Sequence, residues 1–385
     1  MPARKKRAVG KRTAHSPAVS APAKPRRRGR GTSTSYREQL EALQRAELNV
    51  TLEFHEGPVT LTNLDKVLWP ATASLPAYSR RNHMRYLLRM ADRMLPHVQD
   101  RPLTLIRQPE GVTGRRFVQF HWEQSLPAFV DTVSIYSERN QVPEDYLVCN
   151  NVPTLLWLAH VGCLELHPWH SRAKPGPDAK NAGGDYASSL GSFEASALNR
   201  PDYIVLDIDP YIYSGSEREG AQPEFNIAAF EKGKELAFIV KRLLDRMGLT
   251  SLVKTSGKTG LHVLIPIART LTYGAARAFA DTLGRHVMRE HSDLVTMDQK
   301  VGKRTGKIFF DANMNARVKT LAAPYSVRGI PGAPVAMPVE WSELERVTPL
   351  EFTMSNVADI VDERGDPWRD FFSEQQDIER VLAGA

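Results

Sequence analysis

With 385 residues, 42% of them hydrophobic and 25% charged, the chain has the composition of a soluble globular protein and the length for one to three domains. No apolar run approaches the roughly 18 residues of a membrane span and the N-terminus has no apolar signal core, so a spanning or secreted protein is not expected. The formal charge of +7 is unevenly placed: residues 1–31 carry eleven Lys or Arg and no acid, which leaves 40 bases against 44 acids elsewhere.

The chain opens on a Pro/Ala/Ser-rich tail, residues 1–34, with little apolar surface to bury. Disorder and attraction to phosphate backbones are the expectation, and a solvated linker is the plain alternative. Tyr36–Leu48 has leucines at helical spacing, and 35–54 is read as an N-terminal helix and lead-in. Short strand candidates V-T-L-E-F and V-T-L-T-N-L follow, then the turn W-P-A-T-A-S-L-P-A, a helix over Asn82–Val98 and a strand over Arg101–Arg107. A second helix, Asn150–Gly162, stops at glycine and leads into L-E-L-H-P-W-H-S-R; Ala173–Asn199 reads as a surface loop. The strand D-Y-I-V-L-D-I-D comes next, followed by a polar loop, Ser214–Glu224, and a helix over Ile227–Met247. Leu252–Ile267 reads strand, turn, strand; a helix spans Tyr273–His291, and K-I-F-F-D makes a further strand. Strands and helices mix without the strict alternation of a parallel βαβ protein, which predicts α+β with antiparallel or mixed sheets. Cys149 and Cys163 form no C-x-x-C pair and are read as reduced structural thiols.

Three strand-borne features can carry chemistry. In the strand ending at Asp209, Ile204, Leu206 and Ile208 share one face, while Val205, Asp207 and Asp209 share the other. Two like charges one strand repeat apart are costly unless a cation or water neutralises them. Asp311 ends K-I-F-F-D, and three carboxylates on facing strands can hold two divalent cations for an in-line displacement. D-x-D alone is weak evidence, since it occurs by chance in many chains and more often marks a solvated strand end. The third feature is T-S-G-K-T-G-L-H, where Gly257 and Gly260 permit a tight turn and Ser256, Lys258 and Thr259 offer hydroxyls and a cation to a polyphosphate. The spacing is not that of a Walker A loop. His262 points away from the core of Leu261 and Val263, toward a ligand or into a structural niche, and His167 is similarly ambiguous. Arg304, Lys307, Arg317, Lys319 and Arg328 form either a solvated rim or a binding surface for a polyanion.

In order, L-T-N-L-D-K-V-L-W-P, L-E-L-H-P-W, D-Y-I-V-L-D-I-D-P, K-T-S-G-K-T-G-L-H-V and K-I-F-F-D-A-N-M-N-A-R, followed by A-A-P-Y-S-V-R-G-I-P-G-A-P-V, closely resemble the polymerase domain of bacterial ligase D, in the archaeo-eukaryotic primase superfamily. The resemblance covers about residues 55–350 and leaves 351–385 as a C-terminal helical segment. It implies a primase-like core of two packed mixed or antiparallel sheets flanked by helices, with an RRM-like catalytic subdomain. It also implies a template-guided nucleotidyltransferase that adds NTPs, in preference to dNTPs, at DNA gaps or double-strand breaks. In that family the counterparts of Asp207, Asp209 and Asp311 bind two manganese or magnesium ions. In that family the serine, lysine and histidine of this turn hold the nucleotide's phosphates, which the resemblance matches to Ser256 and His262; Lys258, Thr259 and Gly260 complete the candidate nucleotide-binding turn, and the resemblance puts His167 in the nucleotide pocket and Arg328 on substrate phosphates. Lys66 and Arg80 match positions for a DNA 5′ phosphate, and Phe117 and Phe120, with Trp122, are candidates for base stacking or ordinary core.

Departures are visible. Many relatives have lysine directly before Gly-Leu-His, where this chain has Thr259 and places Lys258 one residue earlier; Arg80 replaces a lysine, and Phe120 another. No K-x-D-G ligase motif is present, so a stand-alone polymerase or one part of a split repair system is expected. A Ku-like protein and a separate ligase would be its partners, and the cytoplasm, near the nucleoid, its location. The competing readings are a catalytically weak DNA-end-binding or bridging module and a two-metal nuclease.

Overall fold

The strand Tyr203–Asp209 shows the predicted alternation and sits near the middle of a six-stranded sheet. In this computed structural model, which describes residues 36–179, 182–210, 226–348, 350–373 and 375–383, the sheet order is Val295–Thr296, Ile308–Asp311, Tyr203–Asp209, Leu261–Pro266, Leu252–Thr255 and Pro338–Val339. All neighbours are antiparallel except the first pair. The basic tail and the loop Ser214–Glu224 lie outside the described residues.

One face of this sheet carries Ile204, Leu206 and Ile208, all fully buried, in a core shared with the helices Ile227–Arg246 and Tyr273–Glu290. Each helix starts on a side-chain cap, Asn226 accepting from Ala229 N and Thr272 from Ala275 N. On the other face Tyr203 and Val205 are covered by Trp368 and Phe371, while Asp207 and Asp209 follow where that cover ends. The C-terminal segment therefore packs on the same face of this strand, over Tyr203 and Val205. The described residues from Tyr36 onward all fall within one compact unit.

A smaller antiparallel sheet of Phe117–Gln119, Leu103–Arg107 and Cys163–Pro168 carries L-E-L-H, and three two-stranded ribbons complete the β structure of the described residues. One ribbon, Asp131–Ser137 with Val142–Val148, has no counterpart among the predicted elements. The expected loop 173–199 contains a helix, Leu190–Ala195, capped by Ser189 and anchored by buried Phe193. Both cysteines are free and buried, and burial raises both thiols, in keeping with structural roles. Among the described residues no helix is long and apolar enough to cross a membrane.

Candidate active site

Antiparallel pairing places side chains from four adjacent strands in one row. Asp311 pairs with Asp207, Asp207 with His262, and His262 with Lys254. Directly opposed residues project from the same face, so two acids and two bases line one rank across the sheet. Burial pushes the Asp207 carboxyl well above its usual range, and Asp209 and Asp311 push it further. Burial, then Lys254 and Arg328, drive His262 well below its usual value. Lys254 is likewise lowered by burial and Arg328. His262 Nε2 lies 3.5 Å from Asp207 Oδ1, and its buried Nδ1 has no partner.

The two expected carboxylate strands thus converge, and oxygen-only donors crowded with like charge suit a hard divalent cation. Yet among the described residues no three His, Cys, Asp or Glu side chains form a ready cage for a metal ion. Asp311 Oδ1 instead accepts from Asn313 N at 2.9 Å, starting the turn that follows it. Asn315 then locks that turn to the central strand: its Oδ1 accepts from Val205 N at 2.8 Å and its Nδ2 donates to Val205 O at 2.7 Å. The side chain substitutes for a ladder partner where the Ile308–Asp311 strand has ended.

The glycine turn is wedged against both sides of the site. Gly257 has φ +72°, in the left-handed region, and a Cβ there would lie 2.7 Å from Arg328 Cγ. A Cβ on Gly260 would meet Ile208 O at 2.5 Å, so the turn rests on the backbone of the carboxylate strand. Its polar atoms are less open than the sequence suggested. Ser256 Oγ accepts from Lys258 N at 3.1 Å and from Gly260 N at 3.0 Å, and Arg328 Nη1 donates to Ser256 O. Two backbone N–H groups of the turn, and the Ser256 hydroxyl that receives them, are thus engaged inside it. Thr259 is buried.

Glu165, unremarked in L-E-L-H, ties these pieces together. It is fully buried; Oε1 accepts from Gly329 N at 3.0 Å, Oε2 accepts from Arg328 Nε at 3.0 Å, and His167 Nε2 lies 2.9 Å from Oε2. Lys258 Nζ is 3.7 Å from Oε1. Burial opposes ionisation of Glu165, but Arg328, His167 and Lys258 outweigh it and hold the carboxyl well below the usual range. Burial and Arg328 lower Lys258 to about 8, with Glu165 opposing them. The lysine displaced by one residue therefore still reaches the same cluster as Arg328 and His167.

Lys66 and Arg80 form a second patch. Lys66 Nζ is 2.8 Å from Glu110 Oε2, Arg80 N donates to Lys66 O at 2.9 Å, and Arg80 Nη1 donates to Thr62 O at 2.7 Å. Phe117 and Phe120 are 39% and 40% exposed, and Arg115 stacks over Phe117 at 5.0 Å. Phe120 also borders a cleft of about 700 Å³ with Tyr136, Tyr146, Trp169 and Arg317. Trp122 goes to the core, edge-on to Trp157 at 4.9 Å. Of the expected basic rim, Arg304 is committed to the carbonyls of Asp298 and Gln299, Lys307 to that of Ser292, and Arg317 faces Glu138.

The family described as LigD, primase-polymerase domain, matches residues 79–368. The chain belongs to this family. It is 29% identical over 329 residues to the bifunctional non-homologous end joining protein LigD of Bacillus subtilis, covering 84% of this chain and 46% of that protein. It is 30% identical over 308 residues to the multifunctional LigD of Mycolicibacterium smegmatis, covering 80% of this chain and 35% of the relative. The chain thus spans less than half the length of these curated relatives. The polymerase domain of Mycobacterium tuberculosis ligase D, solved in complex with DNA, superposes with a TM-score of 0.67 at 26% identity, covering 83% of this chain and 99% of that one. The α+β architecture and the primase-polymerase assignment both stand on these matches.

Proposed function

We propose that this chain is a metal-dependent, template-guided nucleotidyltransferase that adds nucleotides, ribonucleotides by preference, to 3′ ends at DNA gaps or breaks in end joining. The observation that carries the reading is the row Asp311, Asp207, His262 and Lys254, acids at one end and bases at the other. Asp207, Asp209 and Asp311 would hold two manganese or magnesium ions, which when bound activate the attacking oxygen and neutralise charge on the leaving pyrophosphate. Arg328, Lys258 and His262 would bind the triphosphate, with Ser256 shaping the turn and Thr259 and Gly260 seating it. His167 would border the nucleotide. Lys66 and Arg80 would take a 5′ phosphate across the gap, exchanging the exposed Glu110 for the phosphate, and Phe117 and Phe120 would stack on bases. The basic tail would add contacts to the DNA backbone. A Ku-like protein and a ligase are the proposed partners and the nucleoid the proposed location.

Extension of a labelled gapped primer with Mn²⁺ or Mg²⁺ and each nucleotide in turn tests the reading. Lengthening is the expected result. Shortening would mean a nuclease, and retention of DNA with neither would mean an end-binding module.

A further inference from the structure

The anion at the centre of the bases invites a question of its own. Beside the proposed triphosphate site stand Arg328, Lys258 and, acting on Lys258 through space, Arg116; Asp207 faces Lys254, while the fully buried Glu165 faces Arg328 and Lys258. A buried carboxylate is tolerated only where an opposite charge and further hydrogen bonds satisfy its lone pairs. Glu165 has donors from three separate segments: His167 on its own strand, Lys258 on the glycine turn, and Arg328 and Gly329 beyond the carboxylate strands. Its two oxygens divide the work, Oε2 serving Arg328 Nε and His167 Nε2, Oε1 serving Gly329 N and facing Lys258.

We propose that Glu165 is a positioning residue for nucleotide addition: it fixes Arg328, Lys258 and His167 in one arrangement that receives the triphosphate, and it touches no reacting atom itself. The inference rests on the function proposed above. Three features of the geometry support it. Because Arg328 spends Nε on Glu165 and Nη1 on Ser256 O, its planar fork is held in place before any ligand arrives. Because the carboxylate is ionised, His167 Nε2 must carry the proton, which selects one tautomer of the ring. And because Lys258 lies 3.7 Å from Oε1, at the edge of ion-pair range, its ammonium can shift to an incoming phosphate without leaving Glu165 buried and bare, since Arg328 and Gly329 N remain bonded. Binding energy that would otherwise be spent ordering two long cations is therefore available to the ligand.

The test compares Glu165→Gln and Glu165→Asp with the wild type, using the full chain on a saturating gapped primer. Nucleotide KM and kcat are measured together with equilibrium binding of ATP without turnover, DNA affinity by anisotropy, and thermal unfolding. Glu165→Gln turns an amide N–H₂ toward donors, so about a tenfold or greater rise in KM and in the ATP dissociation constant is expected, with kcat within about threefold and DNA affinity unchanged. Glu165→Asp keeps the charge and should recover part of the loss. A fall in kcat with KM and ATP binding unchanged would overturn the proposal, as would an unchanged KM in a folded Glu165→Gln. If Glu165→Gln does not fold, Glu165→Asp decides, and wild-type nucleotide binding in that variant would overturn it. Should the wild type extend no primer, the polymerase reading fails separately, and unchanged ATP binding in the variants would then refute the positioning role by itself.

Discussion

Replacing Gly260 with alanine tests whether the glycine turn is seated on the carboxylate strand. The added Cβ would lie 2.5 Å from Ile208 O, 3.3 Å from Pro210 Cδ and 3.5 Å from Asp209 Cα. Ordinary carbon to oxygen contact is longer than the first distance by nearly 1 Å, and the obstruction is backbone, which cannot swing aside like a side-chain tip. Either the turn lifts, taking Lys258 and Ser256 with it, or the strand carrying Asp207 and Asp209 yields. Overpacking of this kind costs about 1–3 kcal/mol in stability. The larger effect should be on rate, because a displacement of about 1 Å between reacting groups costs on the order of 100-fold. Gly274 supplies the control: in the first turn of Tyr273–Glu290, its Cβ would approach nothing closer than Thr272 Oγ1 at 3.7 Å. Gly274→Ala should be neutral or slightly stabilising, by up to about 1 kcal/mol. Gapped-primer extension and thermal unfolding on the three proteins give the answer. Wild-type rate and stability in Gly260→Ala would refute the seating argument and with it the reason for glycine at that position.

Other outcomes follow from the same geometry. Asp207→Asn or Asp209→Asn should reduce nucleotide addition by more than about 100-fold, the upper range for disturbing only the outer shell of a metal site, while anisotropy shows DNA affinity largely retained. Extension at the wild-type rate would end the metal reading. Lys66→Ala should reduce the preference for a 5′-phosphorylated gap about tenfold, the worth of one charge-assisted hydrogen bond, as measured by competition between phosphorylated and unphosphorylated gaps. Lys258 has its folded pKa lowered to about 8 from 10.5, so the unfolded chain binds more protons between those values, and this group's contribution to stability rises with pH across that window. Nucleotide affinity should move oppositely, falling above about pH 8 as the ammonium is lost, and Lys258→Met should flatten that part of the profile in a titration of ATP binding.

How far the chain could be read without coordinates depends on whether a feature is local. The central strand was legible because alternation is a property of neighbours: Ile204, Leu206 and Ile208 fall in one core, and Asp207 and Asp209 lie on the opposite face. The long helices were legible from periodicity and from caps such as Asn226 and Thr272. Glu165 was not, since its importance comes from Arg328 and Gly329, more than a hundred and sixty positions away. A signal did exist for the two missed site residues. Glu165 interrupts two buried leucines in L-E-L, and Lys254 has the same parity relative to Val253 that His262 has relative to Val263. Applying the face argument to both strands of the hairpin would have exposed the lysine. The short helix Leu190–Ala195 and the ribbon Asp131–Val148 were hidden for a different reason: each is stabilised by packing around Phe193, Tyr146 and Trp169, a cluster assembled from distant segments.

The row across the sheet also explains why one site can tolerate such unlike charges. Asp207 is pushed up by burial and by its fellow carboxylates, while Lys254 and His262, buried next to it, are pushed down, so without ligand this part of the site favours neutral forms over charged ones. On the proposed function, a nucleotide with its cations would reverse both penalties together: positive charge would lie beside Asp207, Asp209 and Asp311, and negative phosphate beside His262, Lys258 and Arg328. Neither half is as well served alone. A bare cation would leave the bases crowded, and a bare polyphosphate would leave the acids crowded. On the function proposed above, the arrangement would favour the metal complex of a triphosphate over either component, because sheet register sets acid and base one strand apart.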